Sequence, residues 1–194
     1  MYTLIGDIVG SSRLDDWPAA QAAIDAALGR VSAHVDVVQR LEPTMGDEVQ
    51  GGFATIGDAA LATLLIRLEL LPRIDIRFGL GFGETSVVDA DRRPILQNGP
   101  GWKAARTAID ALDDARRTGY VGPDSEEVNA FLVVRDALVD RLSAQHRRML
   151  LHSLHGLSQR EIAQVEQRTE SAVSQAFRRG IRAVRDAQLI LRKA

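Results

Sequence analysis

Within the first 120 residues the apolar positions recur with two different periods, and the order of those periods leaves few folds open. Tyr2–Val9 reads as a buried strand carrying Leu4, Ile5, Ile8 and Val9. Pro18–Ser32 reads as an amphipathic helix with Ala22, Ile24, Ala27, Leu28 and Val31 at helical spacing. Val35–Leu41 and Glu48–Phe53 follow as two strands around the turn-forming run Glu42-Pro43-Thr44-Met45-Gly46-Asp47. Gly57–Leu71 is a second helix, stopped by Pro72. From Ile74 to Phe82 the residues Ile74, Ile76, Phe78, Leu80 and Phe82 alternate strictly, which predicts a strand, and Pro100–Thr118 predicts a third helix. The order β-α-β-β-α-β is that of a ferredoxin-like split sheet, so the fold class is α+β. The glycines of Gly79-x-Gly81-x-Gly83 fall inside a strand, where they mark a bend or close packing. A dinucleotide fingerprint would have to open a helix.

That topology has a chemical consequence. A right-handed crossover makes the first two strands parallel, and the third then lies antiparallel between them. The end of strand one and the tip of the hairpin meet at one end of the sheet, with Asp7 at the first and Asp47 at the second, forty residues apart. Two carboxylates and a backbone carbonyl, here that of Ile8, form a hard-oxygen set suited to magnesium or manganese holding phosphates. Aspartates also cap turns, so both roles stay open for this pair. Arg13, just after the Gly10-Ser11 turn, is placed either to meet a phosphate or to sit in solvent. Trp102, beside Ala105 on its helix, reads as core.

The last sixty residues carry a different pattern. Leu142–Leu154 is an amphipathic helix ended by His155-Gly156. Ser158 and Glu161 form a capping box at the start of the next helix, and the polar break Glu166–Thr169 leads to a final helix from about Glu170 to Leu189. Val173, Phe177, Ile181 and Val184 form its buried stripe. Ser171, Ser174, Gln175, Arg178, Arg179 and Arg182 are left for the outer face, and such side chains reach base edges and phosphates from a helix in the major groove. The pattern predicts a helix-turn-helix that binds double-stranded DNA.

The charge distribution agrees. Residues 135–194 hold 12 Lys+Arg against 6 Asp+Glu, while residues 1–134 hold 12 against 20. A whole-chain net charge of −2 therefore conceals a basic tail on an acidic body, and only one of them suits nucleic acid. The division falls near Gly119–Asp124, read as a linker, giving residues 1–122 to the body and 123–194 to a linker helix and the tail. The absence of cysteine excludes disulfides and thiolate chemistry. No apolar run approaches the roughly 18 residues of a membrane helix, and the start lacks a basic leader, so no membrane partner and a cytoplasmic location are expected. His152 and His155, three apart, read as surface polar residues near a helix end.

Three resemblances add to these readings. Leu157-Ser158, Glu161-Ile162-Ala163 and then Ser171, Val173, Arg178, Arg179 and Gly180 resemble the fourth region of bacterial sigma factors, over about a quarter of the chain. This implies DNA binding rather than sigma activity. Gly6-Asp7-Ile8-Val9-Gly10-Ser11 with Gly46-Asp47-Glu48 resembles the class III nucleotidyl cyclase catalytic domain, in which the two aspartates hold divalent ions over a nucleoside triphosphate. Arg106 matches that family's transition-state arginine, which implies a nucleotide-binding role. Pro43, Ile95 and Trp102 stand where the family keeps its base-reading groups and an asparagine, so the resemblance leans away from efficient cyclase activity. Across most of its length the chain resembles the SatD family, through Gly6–Ser11, Gly46–Gly51 and Asn98-Gly99-Pro100 with Ala105-Arg106.

Together these features predict a DNA-binding transcriptional regulator. Its cyclase-like body would serve as a dimerising or nucleotide- and metal-sensing module, and its partners would be DNA, a nucleotide and a second copy. A nucleoside-triphosphate enzyme and an adaptor that binds another protein through its helical tail remain the alternatives.

Overall fold

The computed structural model describes residues 1–44, 46–89, 91 and 95–193. Met45 of the expected turn lies outside them. The chain is α+β. Strand β1 (Tyr2–Ile8) is followed by helix α1 (Trp17–His34), strands β2 (Val37–Pro43) and β3 (Glu48–Phe53), helix α2 (Ile56–Leu70) and strand β4 (Ile76–Phe82). A small ribbon of β5 (Ser86–Asp89) and β6 (Leu96–Asn98) leads to helix α3 (Pro100–Asp110) and strand β7 (Thr118–Val121). Helices α4 (Ser125–Arg141), α5 (Ala144–Leu154), α6 (Gln159–Val165), α7 (Glu170–Ala176) and α8 (Arg182–Lys193) complete it.

The main sheet runs β2-β3-β1-β4-β7. Strand β3 lies antiparallel between β1 and β2, with Asp7 opposite Glu48, and β4 flanks β1 on its other side with Arg77 opposite Asp7. The expected helix Pro100–Thr118 is corrected: it ends at Asp110, and Thr118–Val121 joins the sheet parallel to β4. The expected linker Gly119–Asp124 is corrected with it. Its first three residues are strand, and Tyr120 is fixed by Asn129 of α4, which accepts from its amide at 2.9 Å and donates to its carbonyl at 2.8 Å.

Strand β4 explains the glycine series. A Cβ on Gly79 would collide with the Ala105 carbonyl oxygen, and one on Gly81 with the Ala105 nitrogen. Helix α3 therefore lies directly on the strand backbone. The series marks close packing.

On the opposite face, α2 is covered from all sides. The sheet lies below it, α1 beside it, and α5 and α8 above it. Its apolar residues run right round the helix, as a fully enclosed helix requires, and Leu61, Leu64, Leu65 and Ile66 are almost wholly buried. Each such side chain is worth about 1.5–3 kcal/mol relative to exposure. One core cluster accordingly runs from Leu4 of β1 to Val184 of α8.

Two buried arginines engage most of the polar groups inside this stack, with Arg67 Nη1 and Asp136 Oδ2 left without a partner among the described residues. Arg67 of α2 donates to Asp75 at 2.9 Å and Asp140 at 2.8 Å, and Arg117 grips the other oxygen of Asp75 at 2.8 Å. Burial opposes the charge on Asp75, yet the two guanidiniums hold its carboxyl below the usual range. Arg135 of α4 donates to Asp136 at 2.8 Å, the Ala60 carbonyl at 2.8 Å, Gln188 at 3.2 Å, Thr63 at 3.1 Å and Thr118 at 2.9 Å. It thereby joins α2, β7, α4 and α8. Replacing Arg135 with Leu leaves Asp136 charged and buried, so it should cost about 3–5 kcal/mol of unfolding free energy in a denaturant titration. A loss below about 1 kcal/mol would show that the arginine is dispensable to the fold.

Candidate functional site

The tail surface is built by caps. Ser143 caps α5, its hydroxyl accepting from the His146 amide at 3.2 Å. The capping box of α6 is formed as its sequence requires. The Ser158 hydroxyl accepts from the Glu161 amide at 3.3 Å, and the Glu161 carboxylate accepts from the Ser158 amide at 2.7 Å. Those hydrogen bonds hold the Glu161 carboxyl below its ordinary range. Thr169 caps α7, accepting from Ala172 at 3.2 Å. Between α6 and α7, the buried Glu166 carboxylate takes Arg148 of α5 at 2.8 Å, which fixes the turn against α5.

The expected helix Glu170–Leu189 is corrected. Val173, Phe177, Ile181 and Val184 are buried as predicted, but Gly180 has φ 139° and ψ −27°, and the helix breaks there. Arg182 consequently stands on α8, across a bend from Arg178 and Arg179. Ser171, Gln175, Arg178, Arg179 and Arg182 are exposed and Ser174 is half-buried. Among the described residues no ion pair or side-chain hydrogen bond engages any of the six. Sequence reasoning missed the groove beside them, about 260 Å³, in which Gln145, His146 and Arg168 face Gln175 and Arg179 across α5 and α7. Arg168 sits in the polar break that the sequence marks only as a turn; its charge was the available signal.

The other predicted constellation lies at the end of β1. The Ile8 amide donates to the Asp47 carbonyl at 3.3 Å, so strand end and hairpin tip are neighbours in the backbone. The side chains make other choices. Asp7 accepts from Arg77 at 2.7 Å, and Arg106, reaching down from α3, forks onto Glu48 with both contacts at 2.8 Å. The Glu48 hydrogen bonds raise the Arg106 guanidinium above its already high range. The Asp47 carboxylate has no partner among the described residues. A magnesium or manganese ion on Asp7, Ile8 and Asp47 would need Asp7 to leave Arg77. A guanidinium 2.7 Å from a prospective ligand oxygen is a poor companion for a cation, so the arrangement fits such an ion badly. Among the described residues no group of three His, Asp or Glu side chains is assembled for a metal. Trp102 is partly buried, packed against the cluster of Ile5, Ala105 and Ile109.

A family model described as SatD family matches residues 1–180. The chain belongs to the SatD family. The matched span runs through the sheet, the sheet-end constellation and the helices up to α7, and it stops at the Gly180 bend. In this member the tail surface as far as that bend is thus part of the family's own span. No curated protein matches the chain. Among the described residues no helix is long and apolar enough to cross a membrane.

A junction the sequence does not reveal fastens the tail of this SatD-family chain to its body. His152 and His155 are only about a quarter exposed, so the surface reading of this pair is corrected. The His155 ring stands edge-on to His34 of α1, with centroids 4.5 Å apart, and reaches toward Glu69 of α2 at 3.8 Å. Glu69 is shared with Arg30 at 2.8 Å. His34 meets the Leu154 carbonyl at 3.1 Å. Burial, and then the charge of His34, push His155 below the ordinary imidazole range, against the pull of Glu69. A depressed folded-state value means that the unfolded chain takes the proton first as pH falls. Stability from this junction is full above the ordinary histidine value of 6.5 and is lost as pH falls through the folded value. The melting temperature should therefore fall as pH drops below about 6.5, and His155→Gln should flatten that fall. Parallel pH profiles for the two proteins would remove His155 from the account.

Proposed function

We propose that the chain is a DNA-binding regulator, reading duplex DNA with a helix-turn-helix formed by α6 and α7. The observation that carries this reading is the cluster of Arg178, Arg179 and Arg182 about the Gly180 bend. All three are exposed and lack an ion pair among the described residues, whereas Arg30, Arg67, Arg77, Arg106 and Arg148 are each held by a carboxylate. An arginine cluster left uncompensated beside an exposed amide and hydroxyl supplies phosphate contacts and base-edge contacts on one surface. In this reading Ser171 and Gln175 face bases from α7, Ser174 supports them, and Arg178, Arg179 and Arg182 grip the backbone. In this reading Arg182, which stands on α8 beyond the Gly180 bend, is a phosphate contact rather than a base contact.

The body, in the same proposal, is a ferredoxin-like and cyclase-like module that pairs two copies and responds to a nucleotide. Paired copies would place two reading helices on half-sites about one helical turn apart. Support for turnover is weaker, because Arg106 is committed to Glu48.

The test is a binding assay on random-sequence duplex together with selection from a randomised pool. Arg178→Ala combined with Arg179→Ala should weaken duplex binding about tenfold or more and flatten the salt slope by about 0.9 for each phosphate that the variant no longer neutralises. Gln175→Ala should broaden the selected sequence more than it lowers affinity, because a side-chain amide reads adenine. Undiminished affinity in the double variant would end the DNA assignment. Equal weakening on every sequence would make Gln175 a backbone contact.

A further inference from the structure

Beyond the end of β1 the chain turns at Gly10 through Ser11–Arg13, and a cleft of about 460 Å³ opens between this turn and the segment after α3. Arg13, Arg77, Arg116 and Arg117 all line it. Four guanidiniums facing one space repel each other, and the fold restrains three of them locally. Asp7 holds Arg77 at 2.7 Å, Asp113 holds Arg116 at 3.2 Å, and Asp75 holds Arg117 at 2.8 Å. Arg13 folds back against Gly10 and has no partner among the described residues. Of the three aspartates in the wall, Asp7 is committed to Arg77, and Asp114 accepts from Arg117 through its carbonyl while its carboxylate has no partner among the described residues. Asp113 is occupied by its own turn, accepting from the amides of Ala115 at 3.0 Å and Arg116 at 3.1 Å. Asp75 lies outside the lining, so the wall carries four positive charges against three negative ones.

We infer that this cleft binds the oligophosphate group of a small phosphorylated ligand. The wall's net charge is positive by one, and Arg13, which no carboxylate holds, offers an entering anion a forked donor whose geometry matches phosphate oxygens. The volume lies within the range of small-ligand sites, roughly 300–1,000 Å³, and exceeds what a single phosphate fills. Donors on two separate segments, Arg13 before α1 and Arg116 after α3, suit a di- or triphosphate spanning the cleft. The hydroxyls of Ser11 and Ser12 lie on the same turn as Arg13. This deepens the nucleotide-sensing part of the proposal, but it moves the anion's grip from Arg106 to Arg13 and Arg116 and needs no metal on Asp7 and Asp47. It is independent of DNA binding.

The test is calorimetric titration of the intact chain with inorganic pyrophosphate and, separately, with ATP, both in chelator-containing buffer. Wild type should bind, and Arg13→Ala and Arg116→Ala should each weaken binding about tenfold or more. Arg13→Ala should leave the unliganded melting temperature unchanged, because Arg13 holds nothing in the folded chain. Tighter binding of ATP than of pyrophosphate supports the site and adds a contact to the nucleoside. Equal binding supports it with the phosphates alone as determinant. The Arg178→Ala, Arg179→Ala variant should bind both ligands as wild type does, whatever becomes of its DNA affinity. The inference is overturned if neither compound binds without added metal, if Arg13→Ala and Arg116→Ala bind normally, or if the tail variant is the one that loses binding.

Discussion

Everything in this molecule is arranged about one helix that has no outside. Helix α2 separates the sheet from the C-terminal helices, and neither side can bury its apolar surface without it. Inside such an enclosure an unsatisfied polar group costs about 1–3 kcal/mol, and most of those on α2 find partners, Arg67 Nη1 being left over. Arg135 meets that demand by accepting the desolvation of its own charge and spreading its hydrogen bonds over four elements. The tail is therefore a further layer of the same core, and the surface carrying Arg178 and Arg179 is fixed relative to the sheet.

Much of this organisation was legible in the residues, for reasons that differ by element. The split order of the strands followed from period and turn chemistry, because Tyr2–Ile8 and Ile76–Phe82 pattern cleanly and right-handed crossover leaves one arrangement. The α6 capping box was legible because it is a local contract between Ser158 and Glu161. The Gly180 break was not. A glycine inside a continuing apolar stripe gives no sign of its φ, and the space where its side chain would stand is nearly open, with Leu142 at 3.7 Å. Strand β7 escaped because four residues flanked by charged turns carry too little pattern to register. The histidine junction escaped because it joins α1, α2 and α5, whose proximity depends on how the helices stack.

For the sheet end, the sequence placed Asp7 and Asp47 at neighbouring positions but could not place their partners. Topology alone sets which strand ends meet. The strand register then puts Arg77 opposite Asp7, and α3's contact with the sheet brings Arg106 to Glu48. The second depends on β4 and α3 being almost in contact, which the glycines of β4 allow. The same glycine series thus governs the packing of the layer and the electrostatics of the site below it. Register pairs Asp7 with Arg77 and leaves this end of the sheet poorly arranged for a cation.

The two borders of the sheet bear on how copies of this chain can meet. At one border, β2 departs from regular pairing between Val37 and Gln39 and again between Gln39 and Glu42, and it ends on Pro43, which has no amide to donate. At the other, β7 is four residues long, and the free amide and carbonyl of Tyr120 are already taken by Asn129. Neither border offers an uninterrupted row of hydrogen-bonding groups to a foreign strand. The sheet is finished at five strands. Another chain meeting the main sheet is thereby denied its backbone ladder, and contacts there are left to side chains, where complementarity of shape and charge decides which partner is accepted.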